Sequence, residues 1–239
     1  TYFFTRYPFD EKDQTIETAP LLIVMGESFV ITISPREVPQ LTKLIAKPEG
    51  VVTTQKTKLF ITMLDATASS FERELMRLRR VVHRDRMKLR RIGPKEIQRL
   101  VNYENELNNI IAAVVPTNVW LGQVTGGNII QLFKDDIELM EDLTIANKQL
   151  IDSSRQLLVT IQNVRNASEA IMTSNLNSTI QTLTLLTILL TIPTIISSLF
   201  GMNVPLPLAE ASWSFWLIMV TIVVAVAGAL YLFKRNGWL

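Results

Sequence analysis

Residues 180–203 read IQTLTLLTILLTIPTIISSLFGMN and contain no charged side chain. The first twenty or so are mostly apolar, enough at about 1.5 Å per residue to cross the roughly 30 Å hydrocarbon layer of a bilayer as a helix. The stretch is not uniformly apolar. Thr184, Thr187, Thr191, Thr194 and Ser198 recur at spacings of three and four, which puts them on one helix face. A helix wholly surrounded by lipid has no use for such a face.

Composition agrees with a membrane protein: 48% of residues are hydrophobic and the mean hydropathy is +0.24. The 239 residues suffice for one large or two modest domains. A formal net charge of +2 is too small to imply a nucleic-acid partner, so none is expected. Without cysteine there is no disulfide framework and no thiolate metal site, and the single histidine, His83, excludes multi-histidine zinc patterns. The opening TYFFTRYPFDEKDQ has no basic-then-apolar signal pattern and is expected to begin inside a domain.

After Pro20, LLIVM and SFVITI flank Gly26-Glu27 as the arms of a hairpin. Ser34-Pro35-Arg36-Glu37 reads as a helix start, with Ser34 as N-cap, Pro35 at the first helical position and Glu37 closing a capping box. No phosphate loop, nucleophile elbow or paired-carboxylate motif accompanies this region, so it reads as a structural or regulatory domain and the chain as no enzyme. Residues 59–91 read as a helix ending in a run of arginines, either a solvated, partly ion-paired face or a surface for anionic headgroups or an acidic neighbour. His83 in this run is expected to face solvent. Pro94 opens a second helix running towards Val115, where Pro116 ends or kinks it, and Gly126-Gly127-Asn128 punctuates the chain.

From residue 129 to 200 the helical pattern meets only one proline, Pro193, and no glycine. At full length such a helix spans about 105 Å, so a long stalk feeds the membrane span. Leu143, Leu150, Leu157, Val164 and Ile171 recur every seven residues, beside a small-residue row of Ala146, Ser153, Thr160, Ala167 and Ser174. That pattern wants a partner, in a loose bundle or among helices of the same chain. A third row is polar: Asp142, Gln149, Gln156, Asn163, Asn177, Thr184, Thr191 and Ser198, with Ala170 its apolar member. Either the stalk part merely faces solvent and the threonines bond their own i−4 carbonyls, or the row lines a watery central path.

Residues 213–233 form a second apolar run of bilayer length, with Trp213, Trp216 and Tyr231 at interfacial positions and Lys234-Arg235 directly after. The positive-inside rule makes that end cytoplasmic, and two spans then put the N-terminal region on the same side. The loop between the spans is external and carries one charged residue, Glu210. Ala225, Ala227, Gly228 and Ala229 offer a face for close helix packing.

Gly201-Met202-Asn203, directly after a first membrane helix and followed by a second helix and a short basic tail, resembles the signature of the CorA family of magnesium channels and transporters. The resemblance is clear over residues 129–239, and the upstream region fits the family's cytoplasmic domain, shortened at its N-terminus. It implies an α-rich membrane protein: a partial α/β cytoplasmic domain over 1–58, cytoplasmic helices over 59–128, a stalk over 129–179, a pore helix over 180–200, an external loop over 201–212, a second span over 213–233 and a basic tail over 234–239. It further implies a homopentameric funnel in the cell membrane, with Mg2+ as cargo and regulatory ion, Co2+ or Ni2+ as further cargo, and no organic cofactor. Carried over, the family motif makes Gly201, Met202 and Asn203 the selectivity filter. The pore-facing role passes to Thr194, Thr191, Thr187 and Thr184, with Ser198, with Asn177 near the cytoplasmic end and with Leu183 or Ile180 as apolar constrictions. In the family, divalent ions between cytoplasmic domains hold the pore closed. Asp142, Asp135, Asp136 and Glu138 are the candidates for that role here, and a solvated, ion-paired helix start is the other reading of the same cluster. Many relatives carry Met where this chain has Thr191, and the proline-to-filter spacing is one residue shorter.

Two other functions remain open on the residues alone. Zinc or another divalent ion is transported by relatives of the same architecture. A two-span signalling or scaffold protein would use the threonine face for packing only.

Overall fold

The computed structural model describes residues 1–10, 15–46, 55–86, 94–127, 129–130, 132–203 and 213–237. Its elements are strands β1 (Tyr2–Asp10), β2 (Ile16–Met25) and β3 (Val30–Ile33), then helices α1 (Pro39–Ala46), α2 (Lys56–Arg86), α3 (Pro94–Thr125), α4 (Lys134–Phe200) and α5 (Ser214–Arg235). The chain divides into two units, Thr1–Ser168 and Glu169–Leu239, and α4 contributes to both.

In the first unit the strands form one antiparallel sheet in the order β1-β2-β3. The expected hairpin is present, with Met25 opposite Val30. Strand β1 was not anticipated; it pairs along its whole length with β2, from Tyr2 opposite Val24 to Asp10 opposite Ile16. Phe3, Thr5 and Tyr7 of β1 and Ala19, Leu21 and Ile23 of β2 turn inward with the two-residue period of a strand. Pro8 is tolerated because β1 is an edge strand. Against the sheet, Phe3 meets Phe60 of α2 and Trp120 of α3 at ring-centroid distances of 4.4 and 5.2 Å. Burying each such side chain stabilises the unit by about 1.5–3 kcal/mol.

Helix α1 begins at Pro39 instead of Pro35. The carbonyl of Val38 accepts the amides of Leu41 and Thr42, both at 3.0 Å, so Val38 is the cap and Pro39 the first helical residue. The residue before a proline is driven out of the α region, so a helix started at Pro35 could not run through Val38. Ser34 instead turns its hydroxyl to the carbonyl of Arg36.

Helix α3 runs through Pro116 to Thr125 and stops where Gly127 adopts a φ of 76°. Thr117, next to that proline, is buried and hydrogen-bonds Thr5 of β1 through their hydroxyls at 2.9 Å. Helix α4 begins at Lys134, with the carbonyl of Phe133 accepting the amides of Asp136 and Ile137 at 3.0 Å each. His83 is exposed, as expected.

The stalk finds its partners within the same chain. Leu143, Leu150, Leu157 and Val164 are buried, and so is a second row of Met140, Asn147, Ser154, Ile161 and Ser168. Together the rows alternate spacings of three and four, a continuous seam. Leu150, Leu157, Ile161 and Val164 share one core with Phe71, Leu75, Leu78 and Val82 of α2 and Leu100, Leu107 and Ile110 of α3. Two ion pairs brace these helices: Arg77 to Glu106 at 3.3 Å between α2 and α3, and Arg165 to Glu104 at 3.0 Å between α4 and α3. Arg77 also pairs with Glu74, at 2.8 Å.

Candidate transmembrane site

The second unit consists of the end of α4 and α5. Both helices hold a window long and apolar enough for a bilayer, with mean hydropathy 2.1 and 2.4, and neither window is buried by the rest of the chain. Their dry length is what a membrane must cover.

Five threonines mark the span of α4. Thr187, Thr191 and Thr194 each donate their hydroxyl to the carbonyl four residues back, those of Leu183, Thr187 and Leu190, at 2.9, 2.7 and 2.7 Å. Thr182, outside the pore-facing set, does the same to Ser178 at 2.9 Å, and Thr184 is exposed. A hydroxyl has one hydrogen and two lone pairs. Once the hydrogen is turned into the helix, the oxygen offers only acceptor capacity outward. Back-bonding and an ion-facing stripe are therefore compatible, since the back-bonded hydroxyls still leave an acceptor surface; Thr144, Thr160 and Thr221, outside the stripe, make the same bond.

On an ideal helix Asn177, Ile180, Thr184, Thr187, Thr191, Thr194 and Ser198 fall inside an arc of about 100°, with Leu183 about 20° beyond its edge. All eight are exposed on the single chain. The half-buried residues of the span, Leu185, Ile188, Leu189, Ile192, Pro193 and Ile196, make a separate stripe. Helix α5 has a similar one in Ile218, Ile222, Ala225, Val226, Ala229 and Phe233. Each helix thus has one face sheltered within the unit, and the hydroxyl face is not that face. Of the four small residues expected to pack, Ala225 and Ala229 are sheltered while Ala227 and Gly228 are exposed.

Pro193 sits within the helix, which continues to Phe200. Proline has no N–H, so the carbonyl of Leu189 loses its i+4 donor. Leu189 and Pro193 lie about 150–170° from the middle of the hydroxyl arc, so the freed carbonyl belongs to the sheltered side and not to the polar face.

Gly201 closes α4: its amide donates to the carbonyl of Ser197 at 3.0 Å, and a Cβ there would stand 3.3 Å from that same oxygen. The amide of Met202 follows with a 3.4 Å bond to Leu199. Met202 and Asn203 are exposed. Glu210 lies outside the described residues, as does most of the loop between the spans.

The candidate regulatory carboxylates do not converge. Asp135 and Asp136 occupy the first turn of α4, where the helix dipole favours them, and they line a hollow of about 560 Å3 together with Lys56 and Lys58. Asp136 is buried, whereas Glu138 and Asp142 are exposed elsewhere on the helix. Among the described residues no three Asp, Glu or His side chains gather so as to hold a metal ion. The residues that sequence reasoning passed over are Asp65 and Glu72 of α2 and Asn147 of α4, which share another hollow. The one signal was Asn147, a polar residue in a row that alternates with the leucines.

A family profile described as CorA-like Mg2+ transporter protein matches residues 1–235. The Cobalt/magnesium transport protein CorA of Methanocaldococcus jannaschii is 28% identical over 247 aligned positions, which cover 95% of this chain and 74% of that protein. The complete structure of the CorA magnesium transporter from M. jannaschii superposes with a TM-score of 0.88 at 24% identity, over all of this chain and 77% of that one. The full-length CmaX protein superposes with a TM-score of 0.79 at 15% identity, over 99% of this chain and 74% of that one.

Proposed function

Since the chain belongs to the family of CorA-like Mg2+ transporters, a family of membrane transporters and not enzymes, we propose that it imports Mg2+ through a homopentameric channel whose pore is lined by the first span of each protomer. Divalent-cation transport follows from membership; the choice of ion, the pentamer and the mechanism are the proposal. The observation that carries it is the exposed arc of threonines whose hydrogens are turned into the helix. Five such arcs around an axis form a tube of oxygen acceptors.

Mg2+ dehydrates reluctantly and prefers octahedral oxygen geometry. An entry that accepts hydrogen bonds from its water selects it without stripping it. A ring of Asn203 carboxamides with Gly201 carbonyls, at the outer end of the arc, supplies such acceptors. Within the span Thr194, Thr191, Thr187 and Thr184 continue them, and Leu183 or Ile180 narrows the path above Asn177. Neither apolar run contains Asp or Glu, so no strong inner-sphere site traps the ion. Two positive charges crossing about 100 mV gain roughly 4.6 kcal/mol, which is driving force enough without nucleotide. The basic end of α5, Lys234-Arg235, supports placing both termini in the cytoplasm.

Closure by intracellular divalent ions is part of the proposal. The regulatory ion is placed between protomers, and Asp142, exposed on α4, is the first candidate to supply a ligand.

The test is flux. Protein in liposomes should admit Mg2+ down its gradient, and Asn203→Ala should abolish entry while the protein still assembles. A protein that moves no divalent cation at any gradient is the scaffold of the competing reading. Competition among Mg2+, Zn2+, Co2+ and Ni2+ in the same assay ranks the cargo, and preference for Zn2+ would overturn the assignment to Mg2+.

A further inference from the structure

Where β1, α2, α3 and α4 meet inside the first unit lies a cavity of about 10 Å3. Each element contributes a polar side chain to its wall: Thr5 from β1, Thr67 from α2, Thr117 from α3 and Asn147 from α4. All four are more than nine-tenths buried, Asn147 with 3% exposure. No charged side chain of the described residues borders the space, so an ion inside it would be a buried charge without a counter-charge.

The hydroxyl hydrogens at this junction can be assigned one by one. Thr117 donates to the Ala113 carbonyl at 3.1 Å, and Thr67 to the Met63 carbonyl at 2.9 Å. A hydroxyl has a single hydrogen, so in the 2.9 Å bond between Thr5 and Thr117 the donor is Thr5. Every hydroxyl hydrogen is thereby spent, and what Thr5 and Thr67 still offer is lone pairs. Asn147 is the complementary case. Among the described residues its carboxamide makes no hydrogen bond, although a polar group buried this far is normally paired. It also borders the larger hollow between α2 and α4, which hydrates one side of the amide and leaves the other to the cavity.

We propose that the cavity is a binding site for one structural water. A space of roughly 10–15 Å3 for the centre of its oxygen is what a single water requires, and nothing larger fits. Neither Thr5 nor Thr67 has a hydrogen left to give, so the water donates one hydrogen to each hydroxyl oxygen. Its own oxygen then accepts from Asn147 Nδ2. Three bonds are the usual complement of a buried water. The water ties α4 to the sheet and to α2, and it gives the asparagine in the buried row of α4 a purpose: Asn147 brings the one donor that a ring of spent hydroxyls lacks. The site is internal to one protomer and does not depend on ion passage.

The first test is a map of the full chain, by crystallography or electron cryomicroscopy, fine enough to show ordered water. It should hold one peak about 2.7–3.2 Å from Asn147 Nδ2 and from the Thr5 and Thr67 hydroxyl oxygens. An empty cavity overturns the site, and this measurement needs no variant that folds. The second test asks whether the water links its partners, using melting temperatures of the full chain in detergent. Thr67→Val keeps the side-chain shape and removes one acceptor; Asn147→Leu removes the donor. Thr67 and Asn147 share no hydrogen bond, so a bridge between them is what makes the two losses overlap. The double variant should melt within about 2 °C of the less stable single variant, and Thr67→Ser, which keeps the acceptor, should not overlap with Asn147→Leu in this way. Shifts that simply add in the valine double variant overturn the bridge, as does the same overlap in the serine one.

Discussion

The hydroxyl of Thr191 donates to the carbonyl of Thr187 at 2.7 Å, which spends its one hydrogen inside the helix and leaves an outward-facing acceptor. Thr191→Val keeps the shape and removes the acceptor, while the helix loses nothing it needs, since the bonded carbonyl already serves the backbone ladder. Mg2+ flux into liposomes should fall about tenfold, equivalent to about 1.4 kcal/mol of barrier, with assembly and melting temperature unaltered. Thr191→Ser should retain near-parental flux. Equal flux in the valine and serine variants would reduce the threonine face to packing.

At the other end of the span, Gly201 is held by close backbone approach. A Cβ at that position meets the Ser197 carbonyl at 3.3 Å, tight enough that the last turn must shift by a few tenths of an ångström. Gly201→Ala should therefore displace the neighbouring Asn203 and lower flux several-fold while the melting temperature changes little. A variant with full flux and unchanged ion ranking would remove backbone geometry from the filter.

Pro193 deprives the Leu189 carbonyl of its donor on the sheltered side of α4, away from the hydroxyl arc. On the proposed pore reading Pro193 acts through the bend that a helix-interior proline introduces, and not through an ion-facing carbonyl. Pro193→Ala should restore the bond, straighten the helix and change conductance without changing the order of ion preference. A changed selectivity sequence would point to the carbonyl instead.

How much of this could be read from residues varies with the physical signal. The two spans, the long helix and the threonine face rest on run length and a period of three to four, signals that tertiary context rarely overrides. Strand β1 was missed because YFFTRYPFD carries a proline and an arginine, and only its pairing with β2 reveals the alternation of Phe3, Thr5 and Tyr7. The start at Pro35 failed because a capping-box pattern was weighed without the second proline four residues on. The stalk's inner row, Met140, Asn147, Ser154, Ile161 and Ser168, mixes polar and apolar types and so carries no hydropathy period of its own. Asp65 and Glu72 do not stand out as a pair in the sequence because the other wall of their hollow, with Asn147, belongs to another helix.

The ion pair between Arg165 and Glu104 at 3.0 Å joins α4 to α3, and the second carboxylate oxygen of Glu104 is buried with no partner among the described residues. Removing the arginine would strand a largely buried charge, whereas removing both charges would strand none. Arg165→Met should destabilise the chain by about 1–3 kcal/mol and lower its melting temperature, and adding Glu104→Gln should recover much of the loss. If the single and double variants melt together, the bridge contributes nothing measurable.

Asp65 supplies the dependence on pH. Burial first, and the neighbouring Glu72 carboxylate second, raise its pKa above the ordinary 3.8. Between 3.8 and the raised value the folded chain keeps a proton that the unfolded chain has released. Stability contributed by this group therefore falls as pH climbs through that window and stays lowered above it. Asp65→Asn never ionises, so in chelator at neutral pH it should melt above the parent. Below the ordinary aspartate pKa, where both side chains are neutral, the gap should close. Melting curves of the two proteins in detergent, taken from neutral pH downward, give the difference directly; a gap that does not vary with pH would mean that Asp65 carries no strained charge in the folded chain.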